Sequence, residues 1–233
     1  DYVIRYNTSG DVAAFIAEPV MGEGGIIVPP DGYFQAVKQV LDAHKILFIA
    51  DEVQSGFGRT GKLFAIEHYG VEPEIMTMAK GIADGFPLAA FIAREDVAGA
   101  FTPGDHLSTF GGSPVSCAAA IANIKVMQDE KIPEAADKRG KEMMARLKKF
   151  QKTCKLVGDV RGKGLMIGVE LVKDAAKTPA AAEAKAVRVN CRENGVLVGL
   201  GGSLANVIRI QPPLTISAKE ADQALDVLEK ALA

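Results

Sequence analysis

The strongest constraint on the fold is the alternation of short apolar runs with segments of helical periodicity between residues 11 and 93. The run AAFIAEP is typical of a buried strand that stops at Pro19, and apolar residues recur at helical spacing after Pro29-Pro30-Asp31. Further strands are predicted at ILFIA (46–50), IMTM (75–78) and PLAAFIA (87–93). Strands that alternate with helices predict an α/β fold built on a mostly parallel sheet.

The pattern changes in the second half of the chain. Long helices are predicted over 115–128 and 134–152, followed by short strands (LMIGVEL, VLVGLG and VIRIQ) that alternate with helices over 180–194 and 218–232. The last helix begins at Ser217 with Glu220 three residues later, which is a capping-box pattern. We predict part of a large domain over 1–125, connecting helices over 126–155 and a small C-terminal α/β domain over 156–233.

Composition excludes several kinds of function. The 27 basic and 29 acidic residues give a net charge of -2 without basic runs, which argues against nucleic acid as a partner. No apolar run approaches the roughly 18 residues that a membrane span needs, so no membrane association is expected. The three cysteines indicate a reducing compartment such as the cytoplasm, and neither they nor the scattered histidines predict a metal site.

Asp51 follows directly after the apolar strand ILFIA, where ligands bind in doubly wound sheets. The simpler interpretation is that Asp51 caps the next turn, because aspartate is a preferred turn residue. Gln54 lies three residues further on and would project into the same crevice.

Lys80 follows another short apolar strand and stands between the small residues Ala79 and Gly81. Burial of an amine at such a place favours its neutral, nucleophilic form. Taken alone, Lys80 is better explained as a surface lysine at the end of a strand. Together, Asp51, Gln54 and Lys80 supply what a pyridoxal phosphate site needs: a lysine for the Schiff base and a carboxylate that keeps the ring nitrogen protonated.

Five blocks carry a family resemblance: IAEPVMGEGG, LFIADEVQSGFGRTGKLFAIEHYG, EIMTMAKGIADGFPLAA, STFGGSP and VIRIQPPL. In this order they closely resemble the class III pyridoxal-phosphate-dependent aminotransferases of the ornithine and 4-aminobutyrate type. The resemblance runs from about residue 11 to 232 and implies a fold-type I transferase. It also implies a homodimer and a ping-pong cycle through a Lys80 Schiff base.

The resemblance implies a role for each matching position. Asp51 would pair with the pyridinium nitrogen, and Gln54 would hydrogen-bond toward the ring hydroxyl. Lys80 would bind the cofactor and then move the substrate proton. Thr109, with Ser108 beside it in STFGG, would reach the cofactor phosphate of the partner subunit. The family commonly has Asn where this chain has Ser113, and we expect Ser113 to cap the following helix equally well.

Glu23 in MGEGG and Arg209 in VIRIQPPL resemble an acidic residue and an active-site arginine that pair in the family. Such a pair can open when a dicarboxylate offers the arginine a better bidentate partner. This would let one pocket accept an ω-amino donor of the 4-aminobutyrate or acetylornithine type and afterwards an acceptor such as 2-oxoglutarate or pyruvate. Alanine with glyoxylate or pyruvate is also compatible. A static structural ion pair is the alternative.

Members of this family are about twice as long as the present 233 residues. We therefore expect the chain to be the C-terminal portion of an aminotransferase that needs an N-terminal portion for the main phosphate cradle. Two other functions stay open: an aminomutase or racemase that uses the same cofactor, and a noncatalytic fragment.

Overall fold

Two four-stranded sheets organise the chain, one in each of two compact units. The computed structural model describes all residues from Asp1 to Ala233. Unit 1 comprises residues 1–19, 29–57 and 64–130, and unit 2 comprises residues 20–28, 58–63 and 131–233. The short segments 20–28 and 58–63, which belong to unit 2, were not expected from the sequence.

The sheet of unit 1 has the order β1-β2-β3-β4. Its strands are β1 (Ala14–Ala17), β2 (Leu47–Asp51), β3 (Ile75–Met78) and β4 (Ala90–Ala93). The first three are parallel and β4 runs antiparallel to β3. The predicted α/β class with a mostly parallel sheet is confirmed, and the antiparallel direction of β4 is an addition to the prediction.

Helices of unit 1 are α1 (Tyr2–Tyr6), α2 (Tyr33–Ala43), α3 (Glu95–Ala98) and α4 (Pro114–Asp129). Helix α2 forms because apolar residues recur on one face, of which Phe34 and Leu41 are buried. The Phe34 ring stacks on Phe48 of β2 with a centroid distance of 5.6 Å and meets Tyr69 edge-on at 4.9 Å. This aromatic cluster anchors α2 to the sheet and keeps β2 in place.

The start of α4 departs from the prediction. Ser113 occupies the N-cap position, but its side chain accepts no capping hydrogen bond, so the expected capping role is wrong. Pro114 at the first helical position, whose ring fixes φ near the helical value, supplies the local start signal instead.

Unit 2 contains an entirely antiparallel sheet in the order β5-β6-β8-β7. The strands are β5 (Val157–Lys163), β6 (Met166–Leu171), β7 (Gly199–Gly201) and β8 (Val207–Ile210), and the helices are α5 (Ile132–Gln151), α6 (Ala181–Glu193) and α7 (Ala218–Leu232). The apolar faces of these helices and of β6 and β8 form one continuous core. The predicted capping box of α7 is confirmed, because Ser217 Oγ accepts from Glu220 N and the Glu220 carboxylate accepts from Ser217 N.

None of the helices combines the length and the apolar character that crossing a bilayer requires.

Candidate active site

The carboxyl ends of β2 and β3 lie side by side in unit 1 and carry the main candidate residues. Asp51, the last residue of β2, is paired in register with Thr77 of β3. Lys80 comes three residues after Thr77 and two residues beyond the end of β3. The parallel strands therefore deliver Asp51 and Lys80 to the same edge of the sheet, as predicted from the positions of the two strand ends.

Asp51 uses one of its two carboxylate oxygens for local structure. Oδ1 accepts from the backbone N–H of Val53 at 3.0 Å and lies 3.4 Å from the Thr77 hydroxyl, which donates to it. The turn-capping interpretation of Asp51 is therefore correct for Oδ1. Both contacts end on this one atom, which leaves Oδ2 able to accept a hydrogen bond from a ligand.

Lys80 has an unusual backbone and an unpaired side chain. It begins a short 3-10 turn, Lys80–Ile82, with a left-handed φ of 46°. The side chain is exposed and forms no hydrogen bond or ion pair. Within this segment Lys80 is thus a surface lysine at the end of a strand, as expected for the residue taken alone.

The backbone around Lys80 is held from two sides. Asn123 of α4 donates from Nδ2 to the carbonyl oxygens of Gly81 at 2.7 Å and Ile82 at 3.2 Å. A side chain at Gly81 would place its Cβ 3.2 Å from Cβ of Phe57, so this position favours glycine. Sequence reasoning missed Asn123, although an amide side chain on an otherwise Ala-rich helix is a signal that something polar is held there.

A buried glutamate organises the loop that carries Gln54. Glu52 is fully buried and accepts from Ser55 Oγ at 2.6 Å and from the backbone N–H of Ile66 at 2.7 Å. Burial raises the pKa of the Glu52 carboxyl, and these hydrogen bonds partly oppose the increase. The two bonds close the loop across residues 52–66 and fix the backbone on which half-buried Gln54 stands.

Ser108 and Thr109 lie on an exposed irregular segment that precedes α4. Ser108 Oγ accepts from Gly111 N at 2.9 Å and closes a tight turn there. Thr109 is exposed and forms no hydrogen bond. Neither hydroxyl is hydrogen-bonded to Asp51 or Lys80.

Glu23 and Arg209 meet in unit 2, where the Arg209 guanidinium donates from Nη1 to the Glu23 carboxylate. The Glu23 side chain is 73% exposed and that of Arg209 only 14%. Arg209 Nε is buried without a hydrogen-bond partner. Arg209 lies across Gly201 of β7, where a Cβ would approach Arg209 Nε to 2.9 Å.

The chain matches the model of the family described as aminotransferase class-III over residues 3–232. The chain belongs to the class III aminotransferase family. It is 49% identical over 218 residues to an acetylornithine aminotransferase of Methanothermobacter thermautotrophicus, covering 94% of this chain and 53% of that protein. It is 48% identical over 223 residues to a leucine/methionine racemase of Thermococcus litoralis, covering 95% and 50%.

Solved structures of class III relatives show the same fold. An aminotransferase of Bacillus anthracis superposes with a TM-score of 0.93 at 37% identity, over 99% of this chain and 54% of that one. An ornithine aminotransferase of Toxoplasma gondii, whose active site is described with partially occupied pyridoxal phosphate, superposes with a TM-score of 0.87 at 34% identity. That match covers 96% of this chain and 51% of that one. The chain thus spans about half the length of the class III relatives that it matches.

Pyridoxal phosphate is the cofactor of this family. Two observations on the described residues fit it: the Oδ2 atom of Asp51 can accept from a protonated ring nitrogen, and the Lys80 amine is not engaged elsewhere.

Proposed function

We propose that this chain is the catalytic segment of a transaminase that moves an amino group from an amino acid or ω-amino acid to a 2-oxo acid. The observation that carries the proposal is the placement of Asp51 and Lys80 at the carboxyl ends of two adjacent parallel strands. Membership of the class III family supports it. Donors of the 4-aminobutyrate or acetylornithine type and acceptors such as 2-oxoglutarate or pyruvate fit the paired Glu23 and Arg209.

Each residue has a distinct chemical task in this proposal. Pyridoxal phosphate supplies an aldehyde that captures amines and a ring that accepts electrons. Asp51 Oδ2 keeps the proton on the ring nitrogen, and Gln54 donates toward the ring hydroxyl. Lys80 Nζ holds the cofactor between turnovers, and afterwards takes the proton from the substrate carbon that bears the amino group.

Glu23 and Arg209 form a binding site for carboxylates that is either closed or open. When the pair is closed, the guanidinium is neutralised and a donor without an α-carboxylate binds beside it. When a dicarboxylate acceptor enters, its carboxylate replaces Glu23 on Arg209 through a bidentate pair. Because Glu23 is largely exposed, water solvates its carboxylate when it leaves Arg209, so opening the pair costs little.

We also propose that the active enzyme is a homodimer in a reducing compartment such as the cytoplasm, with Thr109 and Ser108 contacting the partner subunit's cofactor phosphate. The exposure of both residues in this chain and its three free cysteines support these points. Exposed Lys80 further indicates that additional protein, of the kind that the longer relatives carry, closes the site.

A spectroscopic titration tests the cofactor proposal on the complete enzyme that contains this segment. With pyridoxal phosphate added, we expect visible absorbance that shifts when 4-aminobutyrate or N-acetylornithine is supplied. The Lys80→Ala variant should lose both the absorbance of the lysine-bound cofactor and the reaction. Lys45→Ala is a matched control, because Lys45 is also exposed and also has a left-handed φ, of 57°, but stands before β2.

Two results would contradict the proposal. Protein that gains no absorbance with cofactor would favour a noncatalytic fragment. Equal losses in the Lys80 and Lys45 variants would show that the effect comes from the strained backbone and not from the amine.

A racemase is the second candidate, favoured by the 48% identity to the leucine/methionine racemase of Thermococcus litoralis. A racemase, like an aminomutase, needs no second substrate, whereas a transaminase needs a 2-oxo acid for turnover. Incubation of a single L-amino acid without any 2-oxo acid separates the two. Catalytic appearance of the D-enantiomer, detected by chiral chromatography, would overturn the transaminase in favour of the racemase.

A further inference from the structure

Arg161 of β5 holds the turn that carries Glu23. Its Nε and Nη2 atoms donate to the carbonyl oxygen of Gly25 at 3.0 and 2.8 Å, and Nε also donates to the carbonyl oxygen of Ile26 at 3.2 Å. Both carbonyls belong to the turn over residues 21–27. A side chain from another strand of unit 2 therefore fixes the backbone only two or three residues from Glu23.

This turn needs external support because its backbone is strained. Ile26 has a left-handed φ of 54° although it is β-branched and fully buried. Such a conformation is disfavoured for a branched side chain and persists only where the surroundings enforce it. At the neighbouring Gly25, with a φ of 108°, an added Cβ would lie 3.1 Å from Cγ2 of Val207. The contacts of Arg161 fall on these two residues.

The guanidinium of Arg161 is itself fixed by two carboxylates. Nη1 donates to Asp159 at 2.9 Å and to Glu170 at 2.6 Å. Burial alone would lower the pKa of Arg161, and these two hydrogen bonds raise it instead, so the charge is retained. The planar guanidinium has donors on two edges, so it binds the two carboxylates and the turn at the same time. The ammonium group of a lysine cannot do this.

The turn is coupled to Arg209 through the backbone as well as through charge. Gly202 N donates to the carbonyl oxygen of Glu23 at 3.0 Å, beside β7, whose Gly201 packs on Arg209. An ion pair with one largely exposed partner contributes little by itself, since water competes for the charge. The closed geometry of Glu23 and Arg209 must therefore come from the way the turn is held.

We propose that Arg161 is a positioning residue: by clamping the 21–27 turn it keeps Glu23 on Arg209 and so sets the selectivity between donor and acceptor. This rests on the transaminase function proposed above. When the clamp is weakened, Glu23 spends less time on Arg209. Donors that lack an α-carboxylate then meet an unneutralised guanidinium, whereas dicarboxylate acceptors bind Arg209 without having to displace Glu23.

The test uses the complete holoenzyme and compares kcat/KM for 4-aminobutyrate and for 2-oxoglutarate in Arg161→Lys. We expect the donor value to fall about tenfold, with the acceptor value unchanged or higher. Arg146→Lys is the matched control, since Arg146 pairs with Asp226 and Glu229 in the same unit and does not contact the turn. It should leave the ratio of the two values unchanged.

A double-mutant cycle separates positioning from general damage. In a Glu23→Gln background, Arg161→Lys should no longer change the ratio, because the carboxylate through which it acts is gone. Hydrogen exchange supplies a readout without turnover: exchange of the Gly202 amide should accelerate in Arg161→Lys and not in Arg146→Lys.

Three outcomes would overturn the proposal while leaving the transaminase intact. In the first, Arg161→Lys leaves the ratio of the two kcat/KM values unchanged. In the second, Arg161→Lys shifts that ratio by the same amount in the Glu23→Gln background. In the third, hydrogen exchange of the Gly202 amide is unaltered. Failure of the proposed function itself looks different, because the unmodified holoenzyme would then fail to transfer an amino group from any donor.

Discussion

Two residues at or beside the candidate site residues have a left-handed backbone. Lys80 and Ile26, one a candidate catalytic residue and the other a neighbour of Glu23 in its turn, have φ values of 46° and 54°. Each such conformation costs about 1–3 kcal/mol in a residue other than glycine. Lys80 is followed by Gly81 and Ile26 is preceded by Gly25, and an added Cβ at either glycine would make a tight contact of 3.1–3.2 Å. The surrounding packing therefore outweighs the local preference at both positions.

Glu52 gives a prediction about pH. Because burial raises its pKa above the unfolded value of 4.5, the folded protein holds this proton more tightly than the unfolded chain does. The contribution of Glu52 to the free energy of unfolding is fully present below pH 4.5 and is lost as the pH rises through the pKa of Glu52 in the folded protein. Glu52→Gln removes this dependence, so the free energy of unfolding of Glu52→Gln minus that of the wild type should increase as pH rises above 4.5.

Denaturant unfolding of the two proteins between pH 4 and 8 measures this difference. Glu72→Gln, at an exposed glutamate shortly before β3, should show no comparable increase. A difference that stays flat, or that decreases with pH, would show that Glu52 is not destabilised as a carboxylate by burial.

Part of the candidate site could be predicted from local patterns. Asp51 and Lys80 stand at the ends of short apolar runs, and the carboxyl ends of parallel strands converge by geometry alone. Asn123 and Arg161 could not be found in this way, because each acts on backbone carbonyls more than 40 positions away. Which carbonyls lie within their reach is decided by tertiary packing.

Among the elements, helices and apolar strands were recovered from the sequence more completely than polar strands. Strand β5 has the sequence VGDVRGK, with only two apolar side chains, so its periodicity is too weak to identify. It forms because β6 pairs with it along six residue positions and α5 covers it. The short β7 lies within the predicted strand VLVGLG; with glycine at both ends, it is held by its neighbour β8 and by the bulk of Arg209.

Helix α5 carries a prediction about close packing. A Cβ on Gly140 would lie 2.0 Å from the carbonyl oxygen of Gly164, in the turn between β5 and β6. Glycine to alanine in a helix normally stabilises by about 0.5–1 kcal/mol. Here the clash with rigid backbone outweighs that gain, and Gly140→Ala should destabilise unit 2 by about 1–3 kcal/mol.

Thermal unfolding checks this, with Lys141→Ala as the control one position along the same helix on its exposed face. The control should change stability by less than about 1 kcal/mol, since it loses only a surface ion pair with Asp137. A Gly140→Ala protein as stable as the control would show that α5 can move away from the β5–β6 turn at little cost.

At the scale of the whole molecule, apolar exposure is concentrated in one stretch of unit 1. We call this the 86–121 surface; its members are Phe86, Phe91, Ile92, Phe101, Leu107, Phe110, Val115 and Ile121, exposed by 45–87%. Strand β4 lies within it and is exposed on both faces. Monomeric proteins rarely expose large apolar patches, and class III relatives of twice the length offer the covering that we propose.

The 86–121 surface therefore predicts the behaviour of the isolated 233 residues. They should self-associate at micromolar concentration and bind a hydrophobic dye, because burial of apolar area is favourable wherever a second surface is available. Phe110→Ser combined with Ile121→Gln, at side chains that are 87% and 70% exposed, should reduce both effects. In the complete enzyme the same pair should instead weaken assembly, measured by sedimentation velocity.

Leu197→Gln combined with Leu204→Gln is the matched control, since these unit 2 leucines are 85% and 61% exposed and lie outside the 86–121 surface. If both double variants reduce self-association of the isolated chain equally, the effect follows from general hydrophobicity and the 86–121 surface has no special part in it. If only the Phe110 and Ile121 pair does so, and the complete enzyme loses assembly with the same pair, one apolar surface accounts for both behaviours. The mass of the species that the variant enzyme forms in sedimentation then shows whether that surface faces the partner subunit or the additional protein of the same subunit.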